Sequence, residues 1–145
     1  MSRKVPAGSR TVSKLAAAQT QIDAAIDRLY KGDFVSCITL AAAAEGIMSE
    51  RKGSDLYTYV RNHPEALSRF DQKQWADTLN MEIHYLKHPA PHLPGPLIIS
   101  RMEAVTVLAR AMSKLTASEW TPKMDRAKPA ILMAFDEEEK DRKRS

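Results

Sequence analysis

Leu15, Ala18, Ile22, Ala25 and Leu29 follow one another at intervals of three and four residues. An apolar stripe of that period matches the turn of an α-helix and not the alternation of a strand. It predicts a first helix over residues 12–30, with Gly32 as its stop and Asp33 as the cap of the next helix. The second helix is expected over residues 34–50, where Phe34, Ile38, Ala41, Glu45 and Met48 share one face. That stripe contains a carboxylate, and the alanine run beside it lets a neighbouring helix approach closely.

Two more stripes follow. Asp71 with Gln74 resembles a capping pair, and Trp75, Leu79, Ile83 and Leu86 continue as one apolar face to about Lys87. Ser100 with Glu103 forms a capping box for a helix over residues 101–115. Its buried face is expected to comprise Met102, Val105, Leu108 or Ala109, Met112 and Leu115. Between these elements, residues 54–63 read as a short helix interrupted at His63-Pro64, with a further helical turn over 64–70. Pro89, Pro91, Pro94 and Pro96 forbid a regular continuation after Lys87. Thr121-Pro122 opens a short helical segment, and Pro129 is expected to divide it from a last helix that begins at "AILMAF".

Four amphipathic helices bury their stripes most simply against one another. The expected fold is therefore all-α, an antiparallel four-helix bundle with additional short helices. The 145 residues suit one domain. It is expected over residues 12–135, between a flexible basic tail at 1–11 and a charged tail at 136–145. No run approaches the ~18 apolar residues of a membrane span, and the basic amino terminus lacks the apolar stretch of a secretory signal. One cysteine, Cys37, excludes an internal disulfide, and a cytoplasmic setting is expected. Cys37 stands in an apolar helical run and reads as a core residue.

The net charge of +4 permits contact with phosphates without requiring it. Part of the excess lies at the ends, in Arg3, Lys4, Arg10 and Lys14 and in Lys140, Arg142, Lys143 and Arg144, the second group offset by Asp136, Glu137, Glu138, Glu139 and Asp141, and solvated tails account for it. There is no phosphate-loop, dinucleotide or paired-cysteine motif, so no cofactor is expected. Trp75 and Trp120 suit a core or interface better than a base-stacking platform.

The histidines bear most directly on chemistry. His84, His88 and His92 recur at a spacing of four. His84 and His88 can share one helix face, but Pro89 and Pro91 end the helix before His92. Two histidines without a third ligand do not make a zinc site, and no metal is expected. Asn80, His84 and His88 form a ridge with Lys87 beside it, suited to lining a groove or an interface. A histidine there can serve as general acid or base. Glu45 needs a partner if buried, and Lys87, His84 and His88 are the expected ones.

"RLYKGDFVSCITLAAAAEGIM", "LNMEIHYLKH" and "ISRMEAVTVLARAMSKLT" occur in that order. Together they resemble a family of uncharacterised bacterial α-helical proteins, over roughly residues 15 to 117. That family is similar in pattern to HEPN (higher eukaryotes and prokaryotes nucleotide-binding) domains. The resemblance implies a small helical bundle, often dimeric, whose active members are metal-independent ribonucleases with an arginine followed at short spacing by a histidine. His88 matches the histidine, and the arginine's place falls on Ile83. An arginine there would stabilise phosphate charge while the histidine moved a proton; isoleucine can do neither.

The expectation is thus a noncatalytic HEPN-like bundle that binds RNA, a nucleotide or a protein and forms a homodimer, with Glu45, Asn80, His84, Lys87 and His88 as the candidate groove. One alternative is a divergent metal-independent ribonuclease using His88, with His84 or Lys87 in place of the arginine. Another is a structural or adaptor homodimer.

Overall fold

The computed structural model describes residues 3–51, 56, 62, 64–68, 71–87 and 95–144. Every regular element among them is helical. Helix α1 spans Lys14–Tyr30 and begins where the Ser13 hydroxyl accepts from the Ala16 amide at 3.0 Å. Gly32 leaves α1 with φ +76°, a left-handed conformation that side chains disfavour. Asp33 then caps α2, Phe34–Ile47, by accepting from the Ser36 amide at 3.1 Å. Both terminator and cap stand where the sequence puts them.

Beyond α2 come a one-turn α3 (Pro64–Leu67), α4 (Gln72–Leu79) and α5 (Met81–Lys87). Helix α6 (Arg101–Met112), a 3-10 turn (Ala117–Glu119) and the long α7 (Pro122–Arg144) complete the order. The capping boxes at Asp71/Gln74 and Ser100/Glu103 are both formed. The short helix expected over 54–63 lies outside the described residues apart from Leu56 and Asn62.

Two boundaries differ from expectation. The single helix expected from Asp71 to Lys87 is broken at Asn80, which has φ −107° and ψ 7°. Arg110 donates to the Leu79 carbonyl at 3.1 Å beside this break, and a side chain entering the carbonyl ladder is an established cause of helix kinks. Conversely, α7 runs unbroken through Pro129, where a division was expected. Asp125 and Pro129 are both exposed, so the carbonyl that loses its amide donor there faces water. The charged run expected as a tail beyond the bundle continues α7 as exposed helix to Arg144.

The elements form a helical bundle with one core. Ile22, Ile26, Cys37, Ile38, Val105 and Leu108 are fully enclosed in it. Helices α1 and α2 run antiparallel: Lys14, at the start of α1, lies 4.0 Å from Glu50, just past the end of α2. Helices α2 and α6 run the same way. Cys37 lies by Ala104, Glu45 by Arg110, and Arg51 by Lys114. A parallel neighbour needs a connection that travels back along the bundle, and residues 48–100 supply it. Helix α5 packs on α2 within that crossover, which contributes Ile83 to the core. Helix α7 returns along α6 and also touches α1, where Thr121 donates to Asp23 at 2.6 Å and Lys123 to Asp27 at 2.8 Å.

Candidate functional site

Glu45 is where sequence and structure first part company. Among the described residues, its carboxylate is paired with a cation that was not among the expected Lys87, His84 and His88. Its partner is Arg110 of α6, whose side chain is only 5% exposed against 14% for Glu45. Arg110 Nε donates to Glu45 Oε2 at 2.9 Å, and Nη2 to Oε1 at 2.8 Å. This is the two-pronged arrangement that matches a guanidinium to a carboxylate. Nη2 also donates to Asn80 Oδ1 at 2.8 Å, and Nη1 to the Leu79 carbonyl. Asn80 Nδ2 in turn donates to the Ala76 carbonyl at 2.9 Å. One guanidinium thus ties α2, the α4–α5 break and α6 together.

The local sequence explains each placement. Alanines 41, 42 and 44 bring α6 close to α2. Their neighbour Glu45 therefore enters a dry interface and needs a cation. The parallel pairing of the two helices delivers Arg110 at that level. Asparagine at position 80 leaves helical geometry readily and offers its amide both to the chain behind and to Arg110.

Of the candidate groove, Glu45 and Asn80 are brought together, through Arg110. His84 and Lys87 are exposed on α5, while Ile83, just before His84, is 8% exposed and belongs to the core. Of the ridge expected for Asn80, His84 and His88 with Lys87 beside it, Asn80 is half-buried and His84 and Lys87 are exposed. His88 and His92 lie outside the described residues. Among the described residues, no three His, Cys, Asp or Glu side chains converge as metal ligands.

Arg110 was absent from the sequence-based set. It falls between the apolar positions Ala109 and Ala111, and a lone arginine in a helix normally reads as solvated. The signal available was reciprocal: a carboxylate in the stripe of α2 demands a cation in the stripe facing it.

A second charged junction closes the far end of the bundle. Arg51 donates to both carboxylate oxygens of Glu119, at 2.5 and 2.9 Å. It also donates to the Lys114 carbonyl at 3.1 Å, while Lys114 Nζ returns a bond to the Arg51 carbonyl at 2.7 Å. The Arg51 hydrogen bond, aided by the Thr116 amide, holds the Glu119 carboxyl down at about 2. An acid so low stays ionised at neutral pH and has no proton to give. Gln19 Nε2 donates to the Glu119 carbonyl at 2.7 Å, joining α1 to the same junction.

Cys37 is fully buried, as expected of a core thiol. Burial pushes it up to about 11, with Asp33 adding to the rise, which removes the thiolate a nucleophile needs. Trp120 is half-buried and donates from Nε1 to the Met112 carbonyl at 3.1 Å. It borders an apolar groove of about 330 Å³ between α6 and α7, lined also by Ala109, Met112, Ile131 and Phe135, with Lys128 at its edge.

No helix among the described residues is long and apolar enough to cross a membrane. Compared with protein-family models, curated proteins and solved structures, the chain finds no match.

Proposed function

We propose that the chain is a noncatalytic, HEPN-like helical bundle that works by binding a protein. The observation that carries this reading is the Glu45–Arg110–Asn80 cluster. Arg110 is nearly enclosed, and all three of its guanidinium nitrogens donate within the chain. A guanidinium held this way clamps helices and does not present itself to a phosphate. The place where the resemblance puts a catalytic arginine holds Ile83, which packs in the core.

A protein ligand is favoured over RNA by what the surface offers. The exposed large side chains include Leu132 and Met133, adjacent on α7. Leu132 also borders the apolar groove between α6 and α7, and an apolar groove with an exposed rim suits a protein contact, whereas RNA recognition leans on stacked aromatics and clustered cations.

The test is incubation of the purified protein with structured and single-stranded RNAs in EDTA, beside a salt titration of RNA binding. Intact RNA, with no binding that falls steeply with salt, is the expected result. Cleavage abolished by His88→Ala would overturn the reading and establish the metal-independent ribonuclease in its place. Steeply salt-dependent binding without cleavage would make RNA the ligand.

A further inference from the structure

Trp120 stands at one end of the groove between α6 and α7. With one exception, the polar side chains of the groove walls are already engaged inside the chain. The Trp120 indole N–H donates to the Met112 carbonyl at 3.1 Å. The Ser113 hydroxyl accepts from the Leu56 amide at 2.9 Å and donates to the Arg110 carbonyl at 2.7 Å. Ala109, Met112, Ile131, Leu132 and Phe135 supply hydrocarbon.

Lys128 is the exception. It is exposed, and its ammonium lies 5.8 Å from the centre of the Trp120 ring, within reach of a cation–π contact. That contact keeps the charge over the Trp120 end of the groove. Among the described residues no carboxylate pairs with it. Phe135 stands seven residues further along α7, about 10 Å at the rise of an α-helix. The groove therefore has a cation at one end and hydrocarbon at the other. Its volume of about 330 Å³ falls at the small end of the ~300–1,000 Å³ range of small-molecule sites.

We propose that this groove binds a medium-chain alkyl carboxylate, with its carboxylate at the Lys128 ammonium and its tail running along α7 toward Phe135. A chain of about eight carbons suits that length and volume. Burial of the tail supplies most of the affinity. The exposed ion pair adds little energy but fixes which way round the ligand lies. A second polar group on the tail would be stranded against walls whose own polar groups are engaged, so hydroxylated and dicarboxylic analogues are disfavoured. This goes beyond the protein-binding reading: a protein would cover the exposed rim at Leu132, while the alkyl carboxylate takes the floor beneath it.

Trp120 itself reports on the site. In a Trp75→Phe background it is the sole tryptophan, and its fluorescence is titrated with sodium octanoate. A saturable change with Kd of about 0.1–1 mM is expected for a ligand of this size. Butanoate, with a shorter tail, should bind at least about tenfold more weakly. Octylammonium, with the same tail and the opposite charge, should bind about fivefold more weakly than octanoate. Calorimetric titration of the wild type should give the same order.

Substitutions separate the two ends of the site. Lys128→Glu should exchange the preference, so that octylammonium binds more tightly than octanoate. Lys128 is exposed, so the fold should persist, checked by circular dichroism. Ala109→Leu fills the floor and should weaken both ligands at least about tenfold. Leu132→Gln, at a position 52% exposed, should weaken both about threefold and serves if the filled variant does not fold. No saturable change up to about 10 mM octanoate, equal binding of the two charges, or octanoate binding unmoved by Lys128→Glu would each overturn the proposal. So would octanoate binding that falls as protein concentration rises, the sign of a second copy closing the groove. Those results leave the noncatalytic reading standing, whereas RNA cleavage sinks that reading and leaves the octanoate titration intact.

Discussion

Arg110 of α6 and Glu45 of α2 face each other across two hydrogen bonds of 2.9 and 2.8 Å, beside the buried Ala41, Ala42 and Ala44. Two charges withdrawn from water are held by geometry as much as by attraction, and removing either strands the other. Glu45→Ala or Arg110→Ala is therefore expected to destabilise the fold by about 3–5 kcal/mol. The double change Glu45→Ala with Arg110→Ala should cost much less than the sum of the single changes. Urea unfolding of the four proteins checks this, and additive losses would show that the pair is not coupled.

Glu119 gives the chain a marked acid response. Its carboxyl, which ordinarily titrates near 4.5, is held down at about 2, chiefly by the Arg51 hydrogen bond. The folded value is depressed below the unfolded one, so the stabilisation is complete above the unfolded value. It fades as pH falls toward the folded value. Between about pH 4.5 and 2 the wild type should therefore lose stability more steeply than Glu119→Gln. Thermal unfolding at half-unit pH steps reads the two slopes, and identical slopes would remove Glu119 from the account.

Cys37 should behave as an inert thiol in the folded protein. It is fully enclosed and raised to about 11, so at pH 8 almost none is thiolate. Modification by a chromogenic disulfide should run at least about a hundredfold slower than in the urea-unfolded chain. Fast labelling in the native state would mean that α2 and α6 separate readily at Ala104.

Ser100 opens α6, the helix that carries Arg110. Its hydroxyl accepts from the Met102 amide at 3.3 Å, and Glu103 closes the box on the Ser100 amide at 2.7 Å. Ser100→Ala should cost about 1 kcal/mol, measured as a shift in the urea midpoint. Ser100→Asp, which keeps an acceptor at the helix start, should recover most of it.

Local chemistry made much of this architecture legible. Gly32, Asp33, Asp71 and Ser100 act on groups within four residues, and the helix starts and stops they predict are the ones observed. The stripe of α1 is buried as its period requires, at Ala18, Ile22, Ala25 and Leu29. The misses involve distance along the chain. At the break Asn80 accepts from Arg110, thirty residues away. The continuity of α7 through Pro129 depends on which side of the helix faces water. Glu45 was recognisable as a residue in need of a partner, but its partner lay in a helix whose direction beside α2 no local pattern specifies.

That direction has a consequence for the order in which the chain is made. Glu45 and Arg110 are 65 residues apart, which at about 5–20 residues per second separates their synthesis by roughly 3–13 s. An α1–α2 hairpin formed during that interval would carry the Glu45 carboxylate in its apolar stripe without its arginine, and a carboxylate so placed keeps water beside it. The exposed alanine face is thereby discouraged from closing on whatever hydrophobic surface it meets first. The parallel crossover makes the nascent hairpin wait for its own arginine, and a charge that looks costly in the finished bundle protects the unfinished one.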